Sequence, residues 1–116
     1  MSPEIPEIPE ITVAVNGALG RMGSTVLSAA AAEDGVTPVG GADIAASSDS
    51  LTISGTSVSV PLASGLAELF QTVKPDVVVD FTNGESAKQA IITCIKAGVR
   101  VVSGSTGLSP EDLDEI

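Results

Sequence analysis

The chain has 116 residues, with Asp+Glu 15 against Lys+Arg 5, no His, Trp or Tyr, two Phe and one Cys, and a formal net charge of -10. Against roughly 100–200 residues per domain this is one domain, and a hydrophobic content of 43% is that of a globular chain rather than a disordered one. The missing histidine excludes Ser-His-Asp triads, Cys-His pairs and His metal sites, the single cysteine excludes internal disulfides and thiolate zinc sites, and the acidic balance disfavours nucleic acid and acidic membranes as partners.

Residues 1–10 are of low complexity. Pro3-Glu4-Ile5, Pro6-Glu7-Ile8 and Pro9-Glu10-Ile11 repeat one tripeptide. Proline at every third position blocks both a helix and a strand ladder, so a solvated, extended tail is expected. As a partner motif the tail lacks basic anchors. It holds no basic cluster before an apolar stretch, so no signal peptide is expected. No apolar run approaches the roughly 18–20 residues of a membrane span, and a cytoplasmic location is expected.

From Ile11 the pattern changes. Ile11-Thr12-Val13-Ala14-Val15 reads as a strand buried on both faces. Asn16 to Gly23 is a glycine-rich turn. Arg21 to Glu33 reads as a helix with Met22, Val26, Ala29 and Ala30 on its apolar stripe, closed by Asp34-Gly35. Val36 to Ala42 is a second strand ending at Asp43. Ala45 to Ser57, rich in Ser, Ala, Thr, Asp and Gly, is expected to be a mobile loop. Val58 to Pro61 reads as a short strand. Leu62, Leu66, Leu69, Phe70 and Val73 fall at helical spacing, and Lys74-Pro75 ends that helix.

Asp76 to Phe81 contains Val77-Val78-Val79, the clearest buried strand. Ala87, Ala90, Ile91, Cys94 and Ile95 follow the period of an amphipathic helix, with Glu85, Lys88, Gln89 and Lys96 off the stripe and Gly98 as its C-terminal cap. Val99 to Ser103 is another strand, and Ser109-Pro110-Glu111-Asp112 starts a further helix. Strands alternating with helices imply βαβ units and a parallel sheet. Such sheets bind ligands at their carboxyl ends. The loops Asn16–Gly23, Asp43, Asp80–Gly84 and Gly104–Gly107 all fall there.

The loop Asn16–Gly23 lies between the first strand and the first helix, where a dinucleotide pyrophosphate docks in such folds. Gly17 lets the backbone approach phosphates, and Gly20 lets the helix start close to the strand. Glycine spacing alone leaves open a tight turn with no ligand, and Val15 occupies the first position of a strict GxGxxG pattern. Two residues favour the ligand. Asp43 can accept ribose hydroxyls. Arg21, the only basic residue before Lys74, sits in the turn itself. Asp80 reads as a residue that positions its loop, Cys94 as core, and Asp112, Asp114 and Glu115 as a solvated helix face. Ser103-Gly104-Ser105-Thr106-Gly107 is not a nucleophile elbow.

Gly17-Ala18-Leu19-Gly20-Arg21-Met22-Gly23 resembles the GxxGRMG signature of the dihydrodipicolinate reductase family of lysine biosynthesis. Val79-Asp80-Phe81-Thr82 is similar to its strand ending in DFT, and Gly104-Ser105-Thr106-Gly107 to its GTTG loop, with Ser105 replacing a Thr. The resemblance covers residues 11 to 116 and only the family's N-terminal domain. It implies a Rossmann-type, doubly wound, mainly parallel α/β sheet as one dinucleotide-binding domain, residues 11–116. It implies a reductase that moves hydride from NADH or NADPH to a dihydrodipicolinate precursor, giving tetrahydrodipicolinate.

The resemblance also assigns residues. Gly17, Ala18, Gly20, Arg21 and Met22 would contact the dinucleotide, and Asp43 the adenosine ribose. Phe81 and Thr82 would lie beside the nicotinamide, with Gly104 and Ser105 near its amide, and Thr106 would reach the substrate. No metal and no catalytic acid are expected in this chain; the family's proton donor lies in a C-terminal domain that also builds its homotetramer. This chain alone is therefore expected to be inactive and monomeric or weakly associated. Ile44-Ala45-Ala46 after Asp43 offers no arginine for a 2′-phosphate, which leans the choice to NADH. Another NAD(P) dehydrogenase of the amino-acid type, a stand-alone nucleotide-binding module, or an interaction domain with a purely structural turn are the other readings.

Overall fold

Val13, Ala14 and Val15 are consecutive and all buried. A strand with that pattern must be covered on both faces, and the fold follows from it. In the computed structural model residues 10–82 and 84–103 are described. The extended tail expected up to Pro9, the Gly104–Gly107 loop with Gly104, Ser105 and Thr106, and the helix expected from Ser109 lie outside the described residues.

The elements are β1 (Ile11–Asn16), α1 (Arg21–Ala32), β2 (Val36–Ala42), β3 (Ser50–Thr52), β4 (Ser59–Ala63), α2 (Leu66–Leu69), β5 (Val77–Asp80), α3 (Gly84–Ala97) and β6 (Arg100–Ser103). They form a six-stranded sheet in the order β3-β4-β2-β1-β5-β6. β4, β2, β1, β5 and β6 run parallel, and only β3 is antiparallel, paired to β4. The chain starts in the middle of the sheet at β1, winds outward through β2 to β4, then returns to the other side of β1 for β5 and β6. The order reverses between β1 and β5, so the carboxyl ends of those two strands border a crevice.

Two apolar clusters cover the two faces. On one, Ala14 and Val78 pack with Leu66 and Leu69 of α2 and Ala90 and Cys94 of α3. On the other, Val15 packs with Ala18, Leu27 of α1 and Ile53, Val60 and Leu62 of the β3–β4 hairpin. Neighbouring residues of β1 therefore serve opposite layers, as the period of two requires. Pro38 lies in the interior of β2, and the β1–β2 register slips between Val13 and Ala14, with Val13 opposite Pro38 and Ala14 opposite Gly40. A proline that cannot donate to the ladder sits at a bulge, as it must.

Three expectations change. The stripe of α1 is Gly23, Leu27 and Ala30, with Met22 58% exposed and Ala29 also outside. Hydrophobicity alone set the phase one residue off because Gly23 carries no side chain to mark the buried face. The helix expected from Leu62 to Val73 is one turn, Leu66–Leu69. Leu62 belongs to β4 instead, since it pairs beside Gly41 of β2. The loop expected over Ala45–Ser57 contains β3, which folds back on β4 with Leu51 opposite Val60 and with Gly55 at φ +79 in the turn. Ile53 anchors that hairpin, 1% exposed in the core.

On α3, Ala87, Ala90, Ile91 and Cys94 are buried as the period predicts, while Ile95 is half-exposed at the edge of the stripe. Lys88, expected off the stripe, has a side chain only 12% exposed and pairs with Glu85 at 3.6 Å. Burial, with the charge of Asp80 second, pushes the Cys94 thiol up to about 11. It is a core residue. No helix among the described residues is long and apolar enough to cross a membrane.

The opposite end of the sheet is tied by Asp76 and Thr12. The Asp76 Oδ2 accepts from the Thr12 N–H at 2.9 Å and the Thr12 hydroxyl at 3.1 Å, and the Asp76 N–H donates to Thr12 Oγ1 at 2.9 Å. The bond from the Thr12 backbone, then that from its hydroxyl, hold the Asp76 carboxyl below its ordinary 3.8, with Arg100 adding to the effect against desolvation. A depressed carboxyl stabilises the fold above its unfolded value and loses that contribution as pH falls through its folded value. Thermal melts across acid pH should show Asp76→Asn lowering Tm at neutral pH, and the gap to wild type closing below about pH 4. A gap unchanged down the whole acid limb would contradict this.

Candidate functional site

β1 ends at Asn16, and Gly17 turns the chain at φ +86, a conformation that L side chains rarely adopt. The next amides are used internally. Gly17 N–H and Ala18 N–H both donate to the Ala42 carbonyl, at 2.7 and 3.1 Å, and Gly20 N–H donates to Gly17 O at 3.1 Å. α1 then starts at Arg21 with Gly20 as its N-cap. Gly20 has no side chain to cap the helix, and no acidic residue stands in the first turn.

The first amide paired beyond that point is Ser24 N–H, to Gly20 O at 2.9 Å. The N–H groups of Arg21, Met22 and Gly23 thus find no acceptor among the described residues. Unpaired amides at the positive end of a twelve-residue helix attract an anion. The Arg21 side chain also makes no hydrogen bond or ion pair among the described residues.

Two glycines outside the expected site set make this geometry. A Cβ on Gly23 would overlap the Gly17 carbonyl oxygen and lie 2.9 Å from its carbon. A Cβ on Gly41 of β2 would lie 2.7 Å from the Ala18 Cβ. Gly20, given the role of letting the helix approach the strand, meets only Gly17 O at 3.4 Å and has φ -76; Gly23 fills that role. The signal for Gly23 is the third glycine of Gly17-Ala18-Leu19-Gly20-Arg21-Met22-Gly23. Gly41 carries none beyond being one of two adjacent glycines at the end of a strand.

Asp43 follows β2 directly. Its Oδ2 accepts from the Leu19 N–H and its Oδ1 from the Ala45 N–H, each at 2.9 Å. The carboxylate therefore pins the glycine turn to the β2–β3 connection, and each oxygen keeps further acceptor capacity. Asp43 also lines a cleft of about 530 Å³ that runs from Asn16 and Gly17 between α2 and α3. Ile44, Glu68, Thr82, Glu85 and Gln89 line it too. Ile44 is 92% exposed. Three carboxylates and no lysine or arginine are among its lining residues.

At the crevice itself Asp80 is fully buried. Its Oδ1 accepts from Asn16 Nδ2 at 3.0 Å, from the Thr82 N–H at 3.3 Å and from the Thr82 hydroxyl at 2.7 Å; its Oδ2 accepts from the Ser103 hydroxyl at 3.3 Å. The expectation that Asp80 positions its loop is met at Thr82, with two side chains added. Phe81, its N–H donating to Asn16 O at 3.0 Å, is half-buried and packs against the cluster of Val15, Ala18 and Leu27. Gly17, Ala18, Gly20, Arg21, Met22, Asp43, Phe81 and Thr82 are thus brought to one end of the sheet. Met22 is exposed beside Arg21 at the start of α1.

Known proteins resemble this chain over most of its length. Residues 11–116 match the family model described as dihydrodipicolinate reductase, N-terminus. A 4-hydroxy-tetrahydrodipicolinate reductase of Dehalococcoides mccartyi is 41% identical over 106 residues, covering 91% of this chain and 40% of that one. One from Methanothermobacter thermautotrophicus is 38% identical over 116 residues, covering 91% and 41%. The chain thus spans about two-fifths of the length of these relatives.

Among solved structures, the dipicolinate-bound dihydrodipicolinate reductase from Paenisporosarcina sp. TG-14 superposes with a TM-score of 0.75 at 30% identity, over 91% of this chain and 41% of that one. A scyllo-inositol dehydrogenase from Lactobacillus casei with bound NAD(H) shares the fold, with a TM-score of 0.68 at 17% identity over 91% and 31%.

The packing at Gly23 yields a direct test. Gly23→Ala forces a methyl onto the Gly17 carbonyl and should destabilise the chain by about 1–3 kcal/mol, while Gly20→Ala, with ordinary φ and only a 3.4 Å contact to Gly17 O, should cost less, about the fraction of a kcal/mol by which alanine is a poorer N-cap than glycine. Equal effects of the two substitutions would refute this division of roles.

Proposed function

The chain belongs to the dihydrodipicolinate reductase family, whose N-terminal part it matches, and from that we propose that it holds the reduced dinucleotide for a reductase acting on a dihydrodipicolinate precursor in the diaminopimelate route to lysine. The observation that carries this reading is the row of amides at Arg21, Met22 and Gly23 beside the Arg21 guanidinium, none of them paired among the described residues, in a chain of net charge -10. In so acidic a protein, amides left open to an anion have a use.

The residues present fit such a group. The amides and Arg21 suit a pyrophosphate. Asp43 retains acceptor capacity for ribose hydroxyls while its other bonds keep the glycine turn in place. The cleft between α2 and α3 is lined by Asp43 on one side of the turn and Thr82 on the other; its largely apolar walls would take the adenosine toward Asp43, with the nicotinamide half toward Thr82. Thr82, on the side of the turn away from Asp43, would serve the nicotinamide half, and Phe81 would back it from the α1 side. Gly104, Ser105 and Thr106 would complete the site toward the nicotinamide amide and the substrate. When bound, the reduced dinucleotide supplies hydride. The chain's own share is to bind and orient it; with no histidine here, the proton is expected to come from elsewhere in the enzyme, and the chain alone should not turn substrate over.

NADH is the cofactor we propose over NADPH. A 2′-phosphate would enter beside Asp43, Glu68 and Glu85 with no lysine or arginine lining the cleft, and like charges at close range repel. Thermal unfolding of the chain with each dinucleotide tests both parts. NADH at about 100-fold over its Kd should add about 2.7 kcal/mol of stability, and Ile44→Arg should raise NADPH affinity while sparing NADH. No shift with millimolar NADH would refute dinucleotide binding. NADPH binding tighter than NADH by about 1.4 kcal/mol, a factor of ten, would refute the preference alone.

A further inference from the structure

Asp80 is the buried charged side chain among the described residues, 0% exposed. Burying a carboxylate costs several kcal/mol unless its oxygens are satisfied, and a hydrophobic replacement is often as stable. β5 would pack well with another valine at its end. The carboxylate is held instead by four donors, all neutral: Asn16 Nδ2, the Thr82 N–H, the Thr82 hydroxyl and the Ser103 hydroxyl. Those donors are not scattered. Asn16, Asp80 and Ser103 are register partners across β1, β5 and β6, so their side chains form one polar row along the carboxyl ends of the strands that border the crevice.

A carboxylate only accepts hydrogen bonds. Its neighbours must therefore donate to it, and this fixes which way each of them faces. The 2.7 Å bond from the Thr82 hydroxyl commits that proton to Asp80. Thr82 lines the cleft, and toward a ligand its oxygen is left with lone pairs alone. The Asn16 amide is likewise turned with its NH2 toward Asp80.

We propose that Asp80 is a positioning residue that sets the hydrogen-bond polarity of the crevice, presenting Thr82 as an acceptor to a donor group on the nicotinamide riboside half of the dinucleotide, a sugar hydroxyl or the carboxamide NH2. This rests on the dinucleotide reading above. It adds a discrimination that the phosphate turn and Asp43 do not supply, because those residues face the pyrophosphate and adenosine half.

The test uses two ligands, NADH and ADP, which share the adenosine and pyrophosphate, ADP lacking the whole nicotinamide riboside. Affinities come from titration calorimetry of the full 116-residue chain, with apo Tm as a control. Asp80→Asn gives the row a side chain that can donate, so Thr82 can turn its proton to the cleft. It should weaken NADH by about tenfold, the cost of roughly one hydrogen bond, while leaving ADP within about twofold. Thr82→Val, which removes the hydroxyl but keeps the shape, should show the same NADH-selective loss, with a lower apo Tm because the buried Asp80 loses a donor, and the double variant should lose no more NADH affinity than either alone.

If Asp80→Asn fails to fold, Thr82→Val and its rescue by Thr82→Ser carry the test. Equal losses for both ligands, full additivity, or NADH binding indifferent to Thr82→Val would overturn the proposal while leaving dinucleotide binding intact. Wild-type chain that binds neither ligand would overturn the dinucleotide reading and this one with it.

Discussion

The backbone of α1 rests on the backbone of the turn that leads into it. Gly23 stands against the Gly17 carbonyl with no room for a methyl group, and Gly17 turns at positive φ to make that approach. The rest of the site depends on this contact. It places the start of α1 over the end of β1 and brings Leu19 within reach of the Asp43 carboxylate. It sets Ala18 against Gly41, where a side chain on β2 would push the turn away. The amides of Arg21, Met22 and Gly23 are left open because Gly20 supplies no cap. A serine or aspartate at the N-cap would strengthen the helix by a few tenths of a kcal/mol over glycine and occupy one of those amides. The helix start is therefore built less for stability than for access.

The architecture was legible where the local pattern and the tertiary environment agree. Val77-Val78-Val79 and the buried run of β1 read as central strands because only strands covered on both faces look like that. The stripe of α3 read correctly at Ala87, Ala90, Ile91 and Cys94 since its buried face is all side chain. α1 misled by one position because its closest contact is made by a glycine, which no hydrophobicity pattern registers. The short α2 and the β3–β4 hairpin were hidden for a different reason. Leu62 and Leu66 have helical spacing, but Leu62 gains more beside Gly41 on the sheet than in a helix, and Ile53 makes a hairpin of a segment whose composition suggests a loop. Tertiary packing decided both.

The site divides in the same way. A glycine-rich turn between a strand and a helix and an acidic residue at the next strand's end were enough to propose Gly17, Gly20, Arg21 and Asp43, with Met22 added by the resemblance, and the fold moves the close-packing role of Gly20 to Gly23. The contacts that hold them were not legible. Asp43 stands out in the sequence as a ribose ligand, yet in the fold it is also the clasp of the turn, through Leu19 and Ala45. Phe81 stands out as a ring for the nicotinamide and is also core against Val15 and Leu27. Each residue has one task written in its chemistry and another written only in its neighbours, which lie far apart in the chain.

Charge is where these levels meet. A chain at -10 repels a dinucleotide at long range, but at physiological salt that field is screened beyond about 8 Å. Binding must then rest on short-range donors. The molecule arranges donors and acceptors unevenly: open amides and Arg21 at the turn, carboxylates at Asp43, Glu68 and Glu85 around the cleft, and a buried carboxylate at Asp80 whose donors among the described residues come from the neighbouring strand ends and its own loop. In the proposed complex donors would meet the phosphates, acceptors would meet the sugars, and an extra phosphate on the adenosine side would find only acceptors. On the proposed reading, the acidity that sets the protein against polyanions in bulk would become, inside the cleft, the means of telling one small anion from another.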